Sequence, residues 1–366
     1  MSFSCGIVGL PNVGKSTLFN ALTNSQKAKA SNYAFCTIEP NKAIVEVPDE
    51  RLNKIAKIEN SKNIIPTQLT FIDIAGLVKN ASKGEGLGNK FLSHIKEVDL
   101  ILHVVRCFED SDIDHVEKSL DPIRDIKIIK EELILSDLFS AEQQLKKLKK
   151  DINKVKDNNK KISLLEKIIE NITSEKLFKN SNFNNDEQKI IKSFNLISTK
   201  PKVFICNLNE KENLENNKYI NLIIGNLNDK DASVISISAE IESQISQLEN
   251  ENEKKEFLNS LEWENSGLER IIKLSYTELD LITYFTTVDE KETRAWTIKS
   301  NSTALEASNV IHTDFKKGFI CAEITSYEDY IKYGGLKEAK DKGKTRQEGK
   351  EYLIKDGDIV YFLFNV

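Results

Sequence analysis

The N-terminal loop of this chain constrains its fold more strongly than any other stretch. An apolar run, Cys5–Val8, leads directly into Gly9-Leu10-Pro11-Asn12-Val13-Gly14-Lys15-Ser16-Thr17, which matches the pattern G-x-x-x-x-G-K-[ST]. The glycines allow backbone N–H groups to point inward around phosphate oxygens. A lysine at the position of Lys15 can reach the β and γ oxygens, and the hydroxyl of Ser16 can ligate Mg²⁺. The pattern therefore predicts a nucleotide-phosphate site between a β-strand and an α-helix, with Lys15 as a catalytic residue.

Two motifs that follow this loop indicate a switch-type nucleotide site. Thr37 precedes the strand Lys42–Pro48, and a threonine in this connection closes over the γ-phosphate and Mg²⁺ in P-loop switch proteins. Asp73 ends an apolar strand, and Gly76 follows three residues later. We expect Asp73 to interact with the direct ligands of Mg²⁺ rather than with the ion itself. We expect the backbone N–H of Gly76 to meet the γ-phosphate, since a residue without a Cβ permits close approach.

The position that usually orients the attacking water carries an apolar residue. Leu77 stands directly after Gly76, where many related GTPases have a glutamine, and it cannot hold a water molecule. We therefore predict slow intrinsic hydrolysis. His115 lies beyond the strand Asp99–Arg106, at the edge where ligands bind in open α/β sheets. It either replaces the glutamine as a catalytic residue or is an ordinary solvated histidine in an acidic loop.

A later apolar strand ends in Asn207-Leu208-Asn209-Glu210, at the position that reads the base in GTPases. The corresponding GTPase motif is N-K-x-D, whose aspartate accepts hydrogen bonds from the N1 and N2 donors of guanine. Here Leu208 replaces the lysine and the longer Glu210 replaces the aspartate, so the guanine clamp should be lost. Adenine lacks the N2 amine and fits against Leu208. We therefore count Asn207, Leu208 and Glu210 among the nucleotide-binding residues.

The rest of the chain predicts a helical insertion and a separate C-terminal module. From about Pro122 to Thr199, apolar residues recur at helical spacing, which indicates a coiled coil or a helical hairpin. This arm either packs only on itself or engages a large partner. Near the C-terminus, short strands surround one helix, Thr303–Ile311, as in a ubiquitin-type β-grasp. The predicted domains are a nucleotide domain in two parts, 1–127 and 200–279, an insertion at 128–199, and a C-terminal domain at 280–366.

A basic run near the C-terminus has two interpretations. Its cations are Lys337, Lys340, Lys342, Lys344, Arg346 and Lys350. Acidic residues are interleaved with them, which is typical of a solvated face. Tyrosines on both sides would instead allow RNA contact through phosphate neutralisation and stacking. Because the net charge of −5 disfavours a general nucleic-acid coat, any RNA contact depends on a local patch of this kind.

Composition excludes several classes of protein. The chain has 366 residues, 39% hydrophobic and 30% charged, as expected of a soluble globular protein with two or three domains. No apolar run approaches the about 20 residues that span a bilayer. The nucleotide strand begins almost at the N-terminus and leaves no room for a targeting peptide, so a cytoplasmic location is expected. The five cysteines are scattered, which indicates reduced thiols rather than a disulfide framework or a zinc site.

These motifs together resemble the YchF/Obg-like ATPase family over essentially the whole chain. The stretches that carry the resemblance are GLPNVGKST, FCTIEPN, DIAGLVKNASKGEGLGNKFL, HVVRCFED, NLNE, RAWTI, HTDFKKGFI and DGDIVYFLFNV. The resemblance implies an α/β P-loop NTPase G domain that is interrupted by a helical coiled-coil domain and followed by a ubiquitin-like β-grasp domain of the TGS type. It also implies a preference for ATP over GTP, slow hydrolysis, association with ribosomes, and links to translation and stress response.

The same resemblance assigns roles to individual residues. The phosphates are bound by Asn12, Val13, Gly14, Lys15, Ser16 and Thr17. Ser16 and Thr37 ligate Mg²⁺, and Leu208 contacts adenine. Asn12 is also similar to the asparagine of GTPases that use K⁺ to neutralise charge. Two alternatives stay open: a GTP-hydrolysing translation factor, which Leu208 and Glu210 argue against, and a scaffold that binds ATP without hydrolysing it.

Overall fold

The computed structural model of the chain describes residues 3–30, 41–74, 87–109, 119–150, 158–173, 183–210, 217–227, 233–248 and 250–365. The strands in these ranges are β1 (Phe3–Val8), β2 (Lys42–Glu46), β3 (Asn63–Ile65), β4 (Gln68–Asp73), β5 (Leu100–Arg106), β6 (Lys202–Asn207), β7 (Ser233–Ile237), β8 (Leu281–Val288), β9 (Glu292–Lys299), β10 (Phe319–Thr325), β11 (Arg346–Glu348) and β12 (Ile359–Phe364).

The α-helices in the same ranges are α1 (Lys15–Ala30), α2 (Glu50–Glu59), α3 (Leu87–Glu97), α4 (Pro122–Lys150), α5 (Asn158–Thr173), α6 (Asn185–Ser193), α7 (Lys218–Asn226), α8 (Ala239–Gln247), α9 (Glu251–Ser260), α10 (Gly267–Glu278), α11 (Ala304–Ile311), α12 (Thr313–Lys317), α13 (Tyr327–Tyr333) and α14 (Leu336–Asp341). None of the described helices combines the length and the apolarity that crossing a bilayer requires.

The first sheet has six strands in the order β2-β4-β1-β5-β6-β7. Strands β1, β5, β6 and β7 pair in parallel. All residues of β5 are buried, as expected of a parallel strand that is covered on both faces. His103 in β5 packs its ring 5.3 Å from that of Phe204, and burial lowers its pKa to about 3, so it is a neutral packing residue of the sheet. The carboxyl ends of these strands lead into the loops that form the candidate site.

The second sheet has the order β11-β10-β12-β8-β9-β3. Its core is formed by Tyr284, Phe362 and other apolar side chains beneath α11. Thr303 caps α11 and forms a capping box with Glu306, which confirms the helix that the sequence predicts there. The short strands that the sequence predicts around this helix are present: β9 precedes α11, and β10 and β12 follow it.

The chain divides into two compact units. One takes in Ile44–Thr70 and Leu268–Val366, and the other takes in Ser4–Ala43 and Phe71–Gly267. The sequence division at 127, 199 and 279 places the segment 44–70 in the nucleotide domain, and that division stays a prediction. The compact units instead group residues 44–70 with the C-terminal residues, because this segment pairs and packs with the second sheet.

The segment 44–70 is built into the second sheet and its packing. Strand β3 pairs in parallel with β9, with Asn63 opposite Glu292. Leu52 and Ile55 of α2 join the buried cluster that contains Phe285 and Tyr330. Arg51 reinforces this arrangement. Its guanidinium donates to Asp49 and lies 2.7 Å from a carboxylate oxygen of Asp356.

The helical insertion packs α4, α5 and α6 on a common apolar cluster. Ala141, Leu165, Ile168 and Ile191 are fully or almost fully buried in it. The carboxylate of Asp137, which is fully buried, accepts hydrogen bonds from two backbone N–H groups of the returning chain, Ile197 at 2.8 Å and Ser198 at 2.6 Å. This side chain therefore ties the long helix α4 to the segment that leads back into β6.

Candidate nucleotide site

The loop between β1 and α1 has the backbone conformation that a phosphate-binding loop requires. Asn12 and Gly14 adopt positive φ angles of 62° and 97°. A Cβ on Gly14 would lie 2.3 Å from the amide nitrogen of Asn207, and a Cβ on Gly9 would lie 2.5 Å from the carbonyl oxygen of Val104. Both positions therefore need glycine, for conformation and space at Gly14 and for space at Gly9.

Asn207 holds this loop against the start of α8. Its amide nitrogen donates to the carbonyl oxygen of Val13 at 3.0 Å, and its amide oxygen accepts from the N–H of Ala239 at 2.9 Å. The side chain is 4% exposed. Asn207 therefore acts on the loop through two protein contacts, and Val13 contributes a backbone carbonyl to this brace.

Lys15 and Asp73 form the charged part of the site. The ammonium of Lys15 donates to the carbonyl oxygen of Leu10 at 2.6 Å. Burial lowers the pKa of Lys15 to about 8, although the negative charge of Asp73 acts in the opposite direction. Burial raises the pKa of Asp73, and Lys15 opposes that shift. The two groups stabilise each other's charged forms in a partly dehydrated position.

The oxygen atoms near this pair fit a Mg²⁺ ion. The Oδ1 atom of Asp73 is buried and has no hydrogen-bond partner among the described residues. Ser16, which follows Lys15 in the chain, has a hydroxyl oxygen and lines the cleft described below. No cluster of three or more histidine, cysteine, aspartate or glutamate side chains suited to a metal occurs in the described ranges. Mg²⁺ is usually held by one or two protein oxygens together with phosphate and water, so this donor set fits it.

The site is a cleft of about 640 Å³, large enough for a nucleoside triphosphate. Its lining residues are Asn12, Gly14, Lys15, Ser16, Thr17, Phe108, Asn207, Leu208, Asn209, Glu210, Ala239 and Glu240. The structure therefore brings the loop residues together with the N-x-x-E motif, as the sequence predicts. Phe108, Asn209, Ala239 and Glu240 are additions to the predicted set.

An apolar wall occupies the part of the cleft formed by the N-x-x-E motif. Leu208 is 2% exposed and packs in an apolar cluster with Val105. Phe108 is held by Arg106, whose guanidinium lies 4.6 Å from the ring centroid and donates to the Phe108 carbonyl oxygen at 3.1 Å. Because Phe108 lies two residues beyond the carboxyl end of β5, the rule that ligands bind at this edge could have identified it. Glu210 is exposed.

Three predicted site residues lie outside the described residues. These are Thr37, Gly76 and His115. Their assignment to Mg²⁺, to the γ-phosphate and to the attacking water stays a prediction. Among the predicted residues that are described, all except Val13 and Asp73 line the cleft itself.

The chain is similar to known proteins over its full length. The family model YchF-GTPase_C, described as a protein of unknown function, matches residues 281–365, and MMR_HSR1, described as a 50S ribosome-binding GTPase, matches residues 4–168. "Ribosome-binding ATPase YchF" of Haemophilus ducreyi is 48% identical over 367 residues, and the Bacillus subtilis protein of that name is 48% identical over 370 residues. Each alignment covers 100% of both chains.

A solved structure gives the same result for the fold. It is described as "Structure of the Schizosaccharomyces pombe YchF GTPase", and it matches with a TM-score of 0.87 and 38% sequence identity. The match covers 99% of this chain and 98% of that chain. The predicted fold class, a P-loop α/β domain with a helical insertion and a C-terminal module, is thereby confirmed.

Proposed function

The chain belongs to the YchF family, and we propose that it binds and slowly hydrolyses ATP with Mg²⁺ as a switch that associates with the ribosome. The observation that carries this proposal is the cleft that brings Lys15 and Ser16 together with Leu208. The relatives from Haemophilus ducreyi and Bacillus subtilis are named ribosome-binding ATPases, which supports both the reaction and the partner.

The phosphate chemistry depends mainly on positioning and electrostatics. The loop Asn12–Thr17 surrounds the phosphates, and Lys15 stabilises charge on the β and γ oxygens in the transition state. Ser16 and Thr37 would hold Mg²⁺, and Asp73 would interact with the direct ligands of the ion. When bound, the ion supplies charge neutralisation on the phosphate oxygens. In the same proposal, Asn12 would be the residue that binds K⁺, and the ion would add neutralising charge at the phosphates.

Water activation is the weak part of this machinery, so turnover is slow. Leu77 cannot orient a water molecule, and Gly76 contributes its backbone N–H to the γ-phosphate. His115 is the proposed substitute for the missing glutamine. An experiment with His115→Ala tests this role: a clear loss of phosphate release with unchanged ATP affinity is expected, and unchanged turnover would dismiss it.

Hydrolysis itself is tested by phosphate release from the wild type and from Lys15→Ala. The measurement is made with and without ribosomes and with K⁺ or Na⁺ as the monovalent ion. We expect release above the level of the variant, and more of it with K⁺ if Asn12 has the proposed role. Release equal to that of Lys15→Ala in every condition would favour a scaffold that binds ATP without hydrolysing it.

The preference for ATP over GTP follows from the replaced base motif. Leu208 offers no polar contact to guanine, and Phe108 adds a second apolar surface beside it. The names of similar proteins differ on this point, since the curated relatives are called ATPases and the fission yeast structure is called a GTPase. Calorimetric titration decides: we expect ATP to bind at least about 10-fold more tightly than GTP. Equal or tighter binding of GTP would contradict the proposal.

Through its association with the ribosome, the ATP-dependent switch modulates translation or the stress response. A cytoplasmic location goes with this partner. RNA contact through the C-terminal basic run is part of the proposal, although Lys340 lies 2.8 Å from Glu323 and Arg346 lies 3.3 Å from Glu348, so part of its charge is neutralised. Co-sedimentation with ribosomes at low salt is the test, and absence from the ribosomal pellet would count against this partner.

A further inference from the structure

The end of α4 and the start of α5 carry a concentration of lysines. Its members in the described residues are Lys146, Lys147, Lys149, Lys150, Lys160 and Lys161, here called the arm-tip cluster. Residues 144–161 contain eight lysines and two aspartates, a local charge of +6 in a chain whose net charge is −5. All members are exposed except Lys161, which is half-buried. Such a local excess of one sign is typical of a surface that binds a partner of opposite charge.

Helix stability explains only half of this cluster. Lys147, Lys149 and Lys150 lie in the last turn of α4, where cations interact favourably with the helix dipole. Lys160 and Lys161 lie in the first turn of α5, where a cation is unfavourable, and this turn contains no acidic residue. Positive charge is therefore concentrated at the tip although it is unfavourable for the first turn of α5. This concentration favours a role of the cluster in binding a partner.

Ion pairing within the described residues leaves most of this charge available. Lys149 lies 2.8 Å from Glu166 of α5. No ion pair joins the other five members to a described residue. The C-terminal basic run differs, because three of its six cations lie within 4.0 Å of a carboxylate oxygen. The arm tip is thus the stronger electropositive surface of the two.

We propose that the arm-tip cluster binds the phosphate backbone of RNA, an inference that rests on the proposed association with the ribosome. Lysine ammonium groups on flexible stems suit contacts to phosphate oxygens that do not depend on base sequence. An acidic protein is a poorer fit, because lysine is depleted from protein–protein interfaces. The neighbouring apolar residues Leu145 and Leu148 are partly buried against the arm's own cluster.

The test compares two full-length variants that lose the same charge. The first replaces three members of the cluster, Lys146→Gln, Lys160→Gln and Lys161→Gln. The second is the matched control and replaces three exposed lysines outside both basic regions, Lys57→Gln, Lys255→Gln and Lys316→Gln. Binding is measured by pelleting with purified 70S ribosomes and by fluorescence anisotropy with a labelled oligo(U) RNA of about 20 nucleotides, at several K⁺ concentrations.

We expect the arm-tip variant to bind both probes at least about 10-fold more weakly at low salt, with the slope of log K against log[K⁺] reduced by about 2 for the single-stranded oligo(U). The control should stay within about twofold of the wild type. Thermal unfolding separates binding from folding: the arm-tip variant should unfold no earlier than the wild type, because two of its substitutions relieve an unfavourable helix-dipole interaction.

Several outcomes would overturn the proposal. Wild-type binding by the arm-tip variant, or an equal loss in both variants, would show that the cluster is not a specific RNA surface. Loss of ribosome pelleting with normal oligo(U) binding would identify a protein as the partner. If the wild type fails to pellet with ribosomes, the proposed function fails, and the oligo(U) measurement still decides whether the arm tip binds RNA.

Discussion

Asn207 shows how one side chain determines the shape of the nucleotide loop. Its amide joins Val13 to Ala239, residues that lie far from it in the chain. Sequence reasoning identified Asn207 as part of the base-reading motif, yet its hydrogen-bond partners depend on the tertiary structure. Leu208 and Lys15 could be assigned from their spacing alone, because the chemistry of phosphate and base recognition specifies them.

Replacing Asn207 with alanine tests the brace. Asn207→Ala leaves the Ala239 N–H and the Val13 carbonyl oxygen without their partner, and we expect it to lower the free energy of unfolding by about 2 kcal/mol. Because the loop loses its support, ATP and ADP affinities should fall together. Urea unfolding and nucleotide titration measure both effects, with the exposed Asn259→Ala in α9 as the control. Unchanged affinity for both nucleotides would show that the loop holds its shape without the brace.

Lys15 gives the protein a pH dependence of defined sign. Its pKa is about 8 in the folded protein and 10.5 in the unfolded chain. Between these values the unfolded chain binds more protons at this position, so the Lys15 contribution makes the folded protein more stable as pH rises. We expect the free energy of unfolding of the wild type, minus that of Lys15→Met, to increase from pH 8 to pH 10. Urea unfolding at several pH values measures it, and a constant difference would contradict the lowered pKa.

At the scale of elements, the sequence predicted those helices and strands whose residues carry a recognisable pattern within a single stretch of chain. The strand Asp99–Arg106 and the helix Thr303–Ile311 were predicted from the sequence, and the structure confirms them as β5 and α11. Strand β3 was not identified, because it has only three residues and its partner β9 is distant in the chain. A strand this short has too few residues to show an alternating pattern.

Asp137 attaches α4 to the segment that leads back into β6, and substitutions of this residue test that attachment. Asp137→Ala leaves the N–H groups of Ile197 and Ser198 without their acceptor in a buried position, so we expect a loss of about 2–4 kcal/mol in the free energy of unfolding. Asp137→Asn keeps one acceptor and should lose less. Urea unfolding measures both variants, and exposed Glu142→Gln is the control. A loss no larger than that of the control would mean that water replaces the carboxylate.

At the scale of the whole molecule, the second sheet is assembled from two distant parts of the chain. The family model that matches the C-terminal region covers residues 281–365, whereas the compact unit also takes in Ile44–Thr70. Leu52 and Ile55 cover part of the same cluster as Phe285 and Tyr330. Amphipathic spacing in α2 indicates a helix with a buried face, but it does not indicate which sheet covers that face.

Expression of residues 281–365 alone tests this assembly. Without β3 and α2, the edge of β9 and the cluster around Phe285 are exposed, so we expect this fragment to be unfolded or aggregated. Joining residues 44–70 to it through a flexible linker should restore cooperative unfolding. Circular dichroism and thermal melts distinguish the two polypeptides. A shorter fragment that melts as sharply as the longer one would show that the C-terminal sheet is complete by itself.

The pairing of β3 with β9 also determines when the second sheet can be completed during protein synthesis. A ribosome adds about 5–20 residues per second, and β3 leaves it more than two hundred residues before β9. The segment 44–70 therefore waits on the order of 10 s or longer, with Leu52 and Ile55 uncovered, until its partner strands emerge. The brace on the loop after β1 is complete once Ala239 has been made, but this second core closes only after β8, β9 and β12 have followed.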